Sequence, residues 1–185
     1  MDSRDVGVIW CPDSRYNHGI GWGIPRQVER VMRELAGDGS VLHLFGGRAR
    51  WGIRLDIDPV VRPDVIGDAY LAPFARDTFD TVVLDPPYAH VDGHSKVVLF
   101  RQAGWIARAR VLWFHTHWVP AAAPLHLERA WLVRTGRSSA TRCLLAFTVN
   151  PEKQRPAPTF KRGPQRRYNR WLAPQERLDF GARAL

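Results

Sequence analysis

Short apolar runs separated by polar turns divide most of the chain into predicted strands. Residues 82–84 and residues 111–114 are continuously apolar, which is typical of strands buried on both faces of a parallel sheet. A helical period is clearest after Pro25, where apolar residues recur at three- and four-residue spacings until Gly37. The pattern predicts helices over residues 25–36 and 97–109, and strands over residues 6–11, 40–45, 53–56, 64–69, 79–84, 111–114, 129–133 and 140–149.

This alternation predicts an α/β fold with a mostly parallel sheet and a terminal antiparallel pair of strands. The last two predicted strands are joined by a turn at residues 135–139. Only residues 48–52 lie between the two glycines that end the second strand and the start of the third strand. A parallel crossover usually needs a dozen or more residues, so the helices after the strand at 40–45 are expected to be reduced. We predict one domain over residues 1–150 and an extension over residues 151–185.

Carboxylates follow several of these strands at their carboxyl ends. Asp56 and Asp58 close one strand, Asp68 closes the next, and Asp85 closes the strand that ends in the Val-Val-Leu run. Ligands of open α/β sheets bind outside the carboxyl ends of the strands. Gly46–Gly47 closes a further strand, and glycine allows a backbone to approach a ligand closely. The pattern therefore predicts a binding site along one rim of the sheet.

The segment Asp85–Tyr88 reads Asp-Pro-Pro-Tyr. Proline fixes the backbone angle φ and removes an N–H donor, so this segment is a stiff corner. It presents one carboxylate, carbonyl groups without a local donor, and one aromatic ring. A Pro-Pro turn that merely closes a strand is the structural alternative.

Asp85–Tyr88 matches the motif of exocyclic-amino methyltransferases, and residues 41–88 resemble the Rossmann-like class I S-adenosylmethionine-dependent methyltransferases that modify adenine or cytosine. The resemblance implies that Asp85 and the Pro86 carbonyl accept the two hydrogens of the target amine. Such contacts orient the nitrogen and stabilise the charge that develops on it. Tyr88 would stack on an unpaired base. The catalytic residues implied are Asp85, Pro86, Pro87 and Tyr88.

The same resemblance implies S-adenosylmethionine as the cofactor. In the family, a glycine turn lies beside the methionine part of the cofactor, an acid after the second strand binds the ribose hydroxyls, and an acid after the third accepts the adenine amino group. His43 departs from the family, which usually has an acid at that place. The cofactor-binding residues implied are Phe45, Gly46, Gly47, Asp56, Asp58, Asp68 and Ala69. Asp56 is the first choice for the ribose, and Asp58 is the second.

The positive net charge favours a polyanionic partner. The formal net charge is +9, and residues 151–185 contribute nine basic and three acidic residues with aromatic residues between them. Arginine contacts phosphates in pairs of hydrogen bonds and stacks on bases, so nucleic acid is the expected partner, with DNA favoured over RNA. A small amine substrate is the alternative. The expected substrate contacts are Tyr88, His90, His117, Arg162, Arg166 and Arg167.

The primary functional hypothesis is methylation of adenine N6 in DNA. RNA adenine methylation and a catalytically silent nucleic-acid-binding subunit are the alternatives. Cys11 and Cys143 form neither a metal-ligand spacing nor a disulfide framework, and neither follows a proline as a nucleophile for ring-carbon methylation would. No metal is expected. The chain has no signal peptide and no apolar run of membrane length, so we expect a cytoplasmic protein that avoids membranes, and a homodimer is left open.

Overall fold

A computed structural model describes residues 6–11, 24–87, 93–116, 123–135 and 138–154. Within them, eight strands form one sheet and two α-helices pack on its faces. Short 3-10 helices lie at Pro59–Val61, Ala69–Leu71 and Pro151–Lys153. In chain order, the main elements are β1 (Val6–Cys11), α1 (Arg26–Ala36), β2 (Val41–Leu44), β3 (Ile53–Asp56), β4 (Val65–Ile66), β5 (Phe79–Leu84), α2 (Gly93–Ile106), β6 (Ala107–His115), β7 (Leu125–Thr135) and β8 (Ser138–Val149).

The strand order across the sheet is β4-β3-β2-β5-β6-β8-β7-β1. Every neighbouring pair is parallel except the two pairs that involve β8, which runs against the others. The predicted mixed sheet, mostly parallel with a terminal antiparallel pair, is therefore confirmed. The carboxyl ends of all the other strands lie at one rim, which we call the carboxyl rim. The opposite one is the amino rim.

Each helix covers one face of the sheet. On the α1 face, Val28 and Met32 are fully buried against a cluster that includes Leu112. On the α2 face, Phe100 packs 5.0 Å from Trp113 and 5.2 Å from Phe147, measured between ring centroids. The strongly apolar β5 and β6 lie between these two layers, so the continuous apolar runs in the sequence reflect strands buried on both faces.

Several predicted elements have different bounds: β6, β7 and β8 are longer than predicted, and α2 and β4 differ for a clear physical reason. The helix predicted over residues 97–109 is α2, which begins at Gly93 and ends at Ile106. Residues 107–109 belong to β6 because the β5–β6 ladder already begins where Ala107 pairs with Phe79. The strand predicted over residues 64–69 is shortened to Val65–Ile66, since the Asp68 carboxylate caps the next turn.

The connection between β2 and β3 contains no helix, as predicted. Gly46 N–H donates to Leu55 O at 2.8 Å, so the chain turns directly onto the neighbouring strand. Trp51 packs edge-on against His43 at 4.7 Å on the α1 face, and the Arg33 guanidinium lies 4.9 Å from the Trp51 ring. One indole and one guanidinium thus occupy part of the area that a crossover helix would cover.

This tight turn makes Gly46 structurally necessary. A Cβ at position 46 would lie 2.6 Å from Arg54 Cβ and 2.9 Å from Arg54 Cα. We expect Gly46→Ala to lower the free energy of unfolding by about 1–3 kcal/mol, because β3 must move away. Gly67→Ala is the matched control, since its nearest contact would be an ordinary 3.4 Å. Urea unfolding that gave equal losses for the two variants would contradict the close approach.

The amino rim is tied together by side chains. The Asp80 carboxylate accepts from Ser40 N–H at 2.8 Å, from Ser40 Oγ at 2.7 Å and from Arg108 Nη1 at 2.6 Å. Gln154 is buried and donates to Gly104 O and Ala107 O at 2.9 and 3.0 Å. The last described residue therefore lies at the rim opposite Asp85.

Candidate active site at the carboxyl rim

The strand register brings the predicted site residues of three strands into one row. Leu44 of β2 lies opposite Leu55 of β3 and Leu84 of β5. The next residues along are Phe45, Asp56 and Asp85. Because neighbouring strands lie about 4.8 Å apart, the backbones of Asp56 and Asp85 are roughly 10 Å apart on either side of the glycine turn.

Asp56 holds the glycine turn in place. Gly47 N–H donates to Asp56 Oδ2 at 2.8 Å, and Asp58 N–H donates to Asp56 Oδ1 at 3.0 Å. Phe45 and Gly47 both have left-handed backbone angles, with φ of 64° and 46°. Since an ionised carboxylate offers about four acceptor sites, Asp56 retains acceptor capacity for a ligand while it orders the turn.

Asp58 and Asp68 have local roles as caps of 3-10 helices. Asp58 Oδ1 accepts from Val60 N–H, and Asp68 Oδ1 accepts from Tyr70 N–H, both at 2.9 Å. Such Asx contacts satisfy backbone donors that would otherwise lack a partner. Each carboxylate uses one oxygen in this contact, so its other oxygen can still accept from a ligand.

A small cavity lies between these residues, and we call it the rim cavity. Its volume is about 10 Å³, which is room for one water molecule. Pockets for ligands of cofactor size usually hold 300–1,000 Å³, so such a ligand requires the rim cavity to widen. Asp56 and Asp68 line it together, whereas Asp58, Gly46, Gly47 and Asp85 are outside its lining. The lining residues are Phe45, Leu55, Asp56, Ile57, Gly67, Asp68 and Ala69.

A wider groove of about 620 Å³ lies at the amino rim. Its walls come from the start of β7, the end of β8 and the 3-10 helix Pro151–Lys153. Ligands of open α/β sheets bind at the carboxyl ends of the strands. We therefore place the candidate site at the rim cavity, where the carboxylates are, in spite of its smaller volume.

Asp85 has an unusual environment for a carboxylate. It follows the fully buried Leu84 and precedes the buried Pro86. Among the described residues, none donates a hydrogen bond to its side chain. Burial raises the pKa of the Asp85 carboxyl to about 7. Asp85 itself is partly buried. A carboxyl at a strand end whose pKa is raised by its surroundings is characteristic of functional sites.

The raised pKa predicts a pH-dependent stability. The folded protein binds the Asp85 proton more tightly than the unfolded chain, in which the carboxyl has its ordinary pKa of 3.8. The contribution of Asp85 is therefore intact below pH 4 and is lost as the pH rises to about 7, by at most about 4 kcal/mol. Chemical unfolding of wild type and Asp85→Asn between pH 4 and 8 measures this. Parallel profiles for the two proteins would contradict the raised pKa.

His43, at the place where the resembled family has an acid, is a packing residue. It is 2% exposed, and burial together with the Arg33 and Arg54 charges lowers its pKa to about 4. Its Nε2 has no hydrogen-bond partner in the described parts of the chain. A neutral imidazole under Trp51 fills space on the α1 face, so His43 contributes no charge to the site.

The carboxyl rim also contains buried polar groups that the sequence pattern did not single out as site residues. Cys143 Sγ donates to His115 O at 3.3 Å, and the His115 ring lies 5.2 Å from the Trp113 ring. Arg142 is buried with its guanidinium 5.5 Å from the Phe114 ring, and burial lowers its pKa to about 10. Arginine in a strand is usually taken for a surface residue, so no sequence signal marked Arg142.

Six of the predicted site residues fall outside the described residues: Tyr88, His90, His117, Arg162, Arg166 and Arg167. Within the described ranges, no group of three or more His, Cys, Asp or Glu side chains could hold a metal ion. Neither α1 nor α2 is long and apolar enough to cross a membrane.

The fold is similar to several solved structures, among them two methyltransferases. The TehB-like SAM-dependent methyltransferase of Corynebacterium glutamicum is 14% identical with a TM-score of 0.50, covering 65% of this chain and 86% of that one. The 1,6-didemethyltoxoflavin-N1-methyltransferase of Burkholderia thailandensis, solved with S-adenosylhomocysteine, is 10% identical with a TM-score of 0.51, covering 68% and 77%. The PH0226 protein of Pyrococcus horikoshii is 11% identical with a TM-score of 0.50, covering 66% and 88%.

No protein-family model matches the chain, and no curated protein matches it significantly in sequence. The structural similarity together with the mixed sheet shows a Rossmann-like fold that is similar to the fold of those methyltransferase structures. This confirms the predicted fold class.

Proposed function

We propose that this chain is an S-adenosylmethionine-dependent methyltransferase that acts on the exocyclic amino group of a nucleobase, with adenine N6 in DNA as the target. The fold supports methyl transfer in general. The observation that carries the finer proposal is Asp85, a desolvated carboxyl without a hydrogen-bond partner in the described chain, at the strand-end corner of Asp-Pro-Pro-Tyr.

The residues at the carboxyl rim offer hydrogen-bond acceptors that fit the cofactor. Asp56 retains acceptor sites that suit the two hydroxyls of a ribose. Asp68 lies in the same cavity and can accept from an adenine amino group through its second oxygen. Gly46 and Gly47 would adjoin the methionine part. When bound, the cofactor supplies an electrophilic methyl group.

Asp85 and Pro86 would prepare the target amine. An exocyclic amine is a poor nucleophile because its lone pair is delocalised into the ring. Acceptance of its two hydrogens by the Asp85 carboxylate and the Pro86 carbonyl directs the lone pair out of that plane, and such positioning lowers the barrier. The nitrogen must then lose a proton, and a carboxyl with a pKa of about 7 is well suited to receive it near neutral pH.

Nucleic acid is the proposed substrate because of the charge of residues 151–185. Tyr88, His90 and His117 are proposed base contacts, and Arg162, Arg166 and Arg167 are proposed phosphate contacts. Gln154 lies at the amino rim, and the nine residues of β6 separate the rims by roughly 30 Å. Arg162 follows Gln154 by eight residues, which span at most about 28 Å. Arg166 and Arg167 follow Gln154 by twelve and thirteen residues, so they can reach the carboxyl rim more easily than Arg162.

The alternative function is a catalytically silent nucleic-acid-binding subunit. Two observations favour it: the rim cavity holds only about 10 Å³, and His43 replaces the acid of the resembled family. RNA methylation remains the alternative among the enzyme functions, because the same corner would serve an adenine in either polymer.

The test is incubation of the full chain with methyl-labelled cofactor and separate pools of single-stranded DNA, duplex DNA, RNA and nucleosides, followed by nucleoside mass analysis. We expect N6-methyladenine in the DNA pools, and labelling about 10³-fold slower with Asp85→Asn. Label in RNA alone would move the substrate to RNA. Cofactor binding without transfer would support the silent subunit, and failure to bind the cofactor at all would overturn the proposal.

A further inference from the structure

The outer strand β1 has an exposed apolar edge. It lies at the end of the sheet and, in the part of the chain that the structure describes, pairs only with β7. Its alternate residues Val6, Val8 and Trp10 are 51%, 69% and 55% exposed. Residues two apart in a strand share a face, so these three side chains form one stripe. Leu132 of β7 lies opposite Val8 and is 40% exposed.

This stripe is on the α2 face of the sheet. Ile9 and Cys11 point to the other face, where they are buried in the cluster beneath α1. The α2 helix lies over β5 and β6, so neither of the two described helices covers the β1–β7 end of this face. We call the exposed set Val6, Val8, Trp10 and Leu132 the β1 patch.

The edge also lacks the usual protection against strand pairing. Natural edge strands are commonly short, charged, bulged or interrupted by proline. The opposite edge, β4, has only two residues. In contrast, β1 has six residues, none of them charged and none proline, and its register with β7 is regular. Among the described residues, no strand pairs with the outer edge of residues 6–10, so their outward backbone N–H and C=O groups are a template for a further strand.

We propose that β1 is the interface of a symmetric homodimer in which two copies of the chain pair their β1 strands antiparallel. A two-fold axis perpendicular to the sheet keeps the same face of both copies on one side. With Val8 opposite Val8 of the second copy, Val6 lies opposite Trp10 and the two patches become continuous. The two sheets would then form one sheet of sixteen strands, with the two carboxyl rims pointing in opposite directions.

A second copy suits this surface better than a charged partner. The four patch residues are uncharged in a chain of net charge +9. Arg134, an exposed cation on the same face, lies opposite Trp10 on β7, one strand away from the axis, so pairing places no like charges directly opposite each other. The patch offers roughly 400 Å² of apolar surface per copy, which is the size of the largest patches on monomers. A standard interface buries about 800 Å² per partner, so the side chains of the patch supply about half of that area and the hydrogen bonds of the strand ladder add to it. We therefore expect a weak dimer with a Kd of about micromolar size.

The first test is sedimentation velocity of the full chain from about 1 to 100 µM. We expect a monomer–dimer equilibrium in wild type, and a Kd raised roughly 100-fold or more in Val8→Lys, where two cations would meet on the axis. Ile66→Lys is the matched control, because Ile66 is 63% exposed on the other edge strand. A monomer throughout the range, or a dimer that Val8→Lys leaves intact, would overturn the proposal.

The second test fixes the register. Residues directly opposite in an antiparallel pair have Cβ atoms about 4.5–5.5 Å apart, which is near the separation that a disulfide requires. We expect Val8→Cys to form a covalent dimer under mild oxidation and Ile66→Cys to remain monomeric. Cys11 and Cys143 are both buried, so they do not compete. Methyl transfer per chain should be the same in Val8→Lys as in wild type, since Val8 is distant from the rim cavity.

Discussion

We expect Asp85→Asn to lower kcat by about 10³-fold and to change the Kd for S-adenosylmethionine by less than about threefold. An amide keeps the shape of the side chain but offers one acceptor oxygen, carries no charge and cannot take a proton. Asp85 is outside the lining of the rim cavity, which contains the proposed ribose and adenine acceptors. Loss of the Asp85 carboxylate should therefore slow turnover and leave cofactor binding nearly unchanged. Single-turnover kinetics measure the first and isothermal titration measures the second.

Asp80→Asn is the matched control for this variant. Asp80 lies on the same strand at the amino rim, where its carboxylate is bonded to Ser40 and Arg108. Its removal should lower stability by about 1–3 kcal/mol and leave kcat unchanged. A comparable kcat in Asp85→Asn and wild type would remove the role of Asp85. Equal loss of activity in both variants would point to general destabilisation instead.

The second large effect is expected for Asp56→Ala, which should raise the Kd for the cofactor about 100-fold or more. Two hydrogen bonds to the ribose would be lost, and hydrogen bonds to a charged group each contribute about 1.5–3 kcal/mol. The variant also leaves Gly47 N–H and Asp58 N–H without their acceptor. Thermal unfolding without cofactor must therefore be measured beside the titration, so that the loss of the turn can be separated from the loss of ribose contacts.

Asp58→Ala separates the two candidate ribose ligands. Asp58 caps Val60 and lies outside the rim cavity, so its removal should cost about 1 kcal/mol of stability and change the cofactor Kd by less than about threefold. If Asp58→Ala weakens cofactor binding more than Asp56→Ala does, the ribose assignment moves to Asp58. If neither variant affects cofactor affinity, neither acid binds the ribose.

The acids were found from sequence because each stands at the end of a predicted strand. This rule and the known position of ligands in α/β sheets placed Asp56, Asp68 and Asp85 at one rim, and the resemblance to class I methyltransferases implied the role of each. The second function of each acid was invisible in the sequence. Whether Asp56 binds Gly47 N–H, or Asp68 caps Tyr70, depends on backbone angles such as the left-handed φ of Phe45.

The bounds of α2 and β4 also depend partly on contacts that the local sequence does not show. Local propensity favoured helix through residue 109, but hydrogen bonds to β5 begin at Ala107 and override it. Propensity acts within a few residues, whereas a ladder depends on a strand that is distant in sequence. Sequence bounds are for this reason least reliable where an element meets a neighbouring strand.

By itself, the sequence determined the α/β class, the missing crossover helix and the strand ends that carry the acids, because these depend on apolar periodicity and on chain length between elements. Only the tertiary structure decided the position of β1 beside β7, the burial that raises the pKa of Asp85, and the packing of His43 beneath Trp51. These features depend on which strands become neighbours. Burial and strand pairing are properties of contacts between distant residues, and no local pattern encodes them.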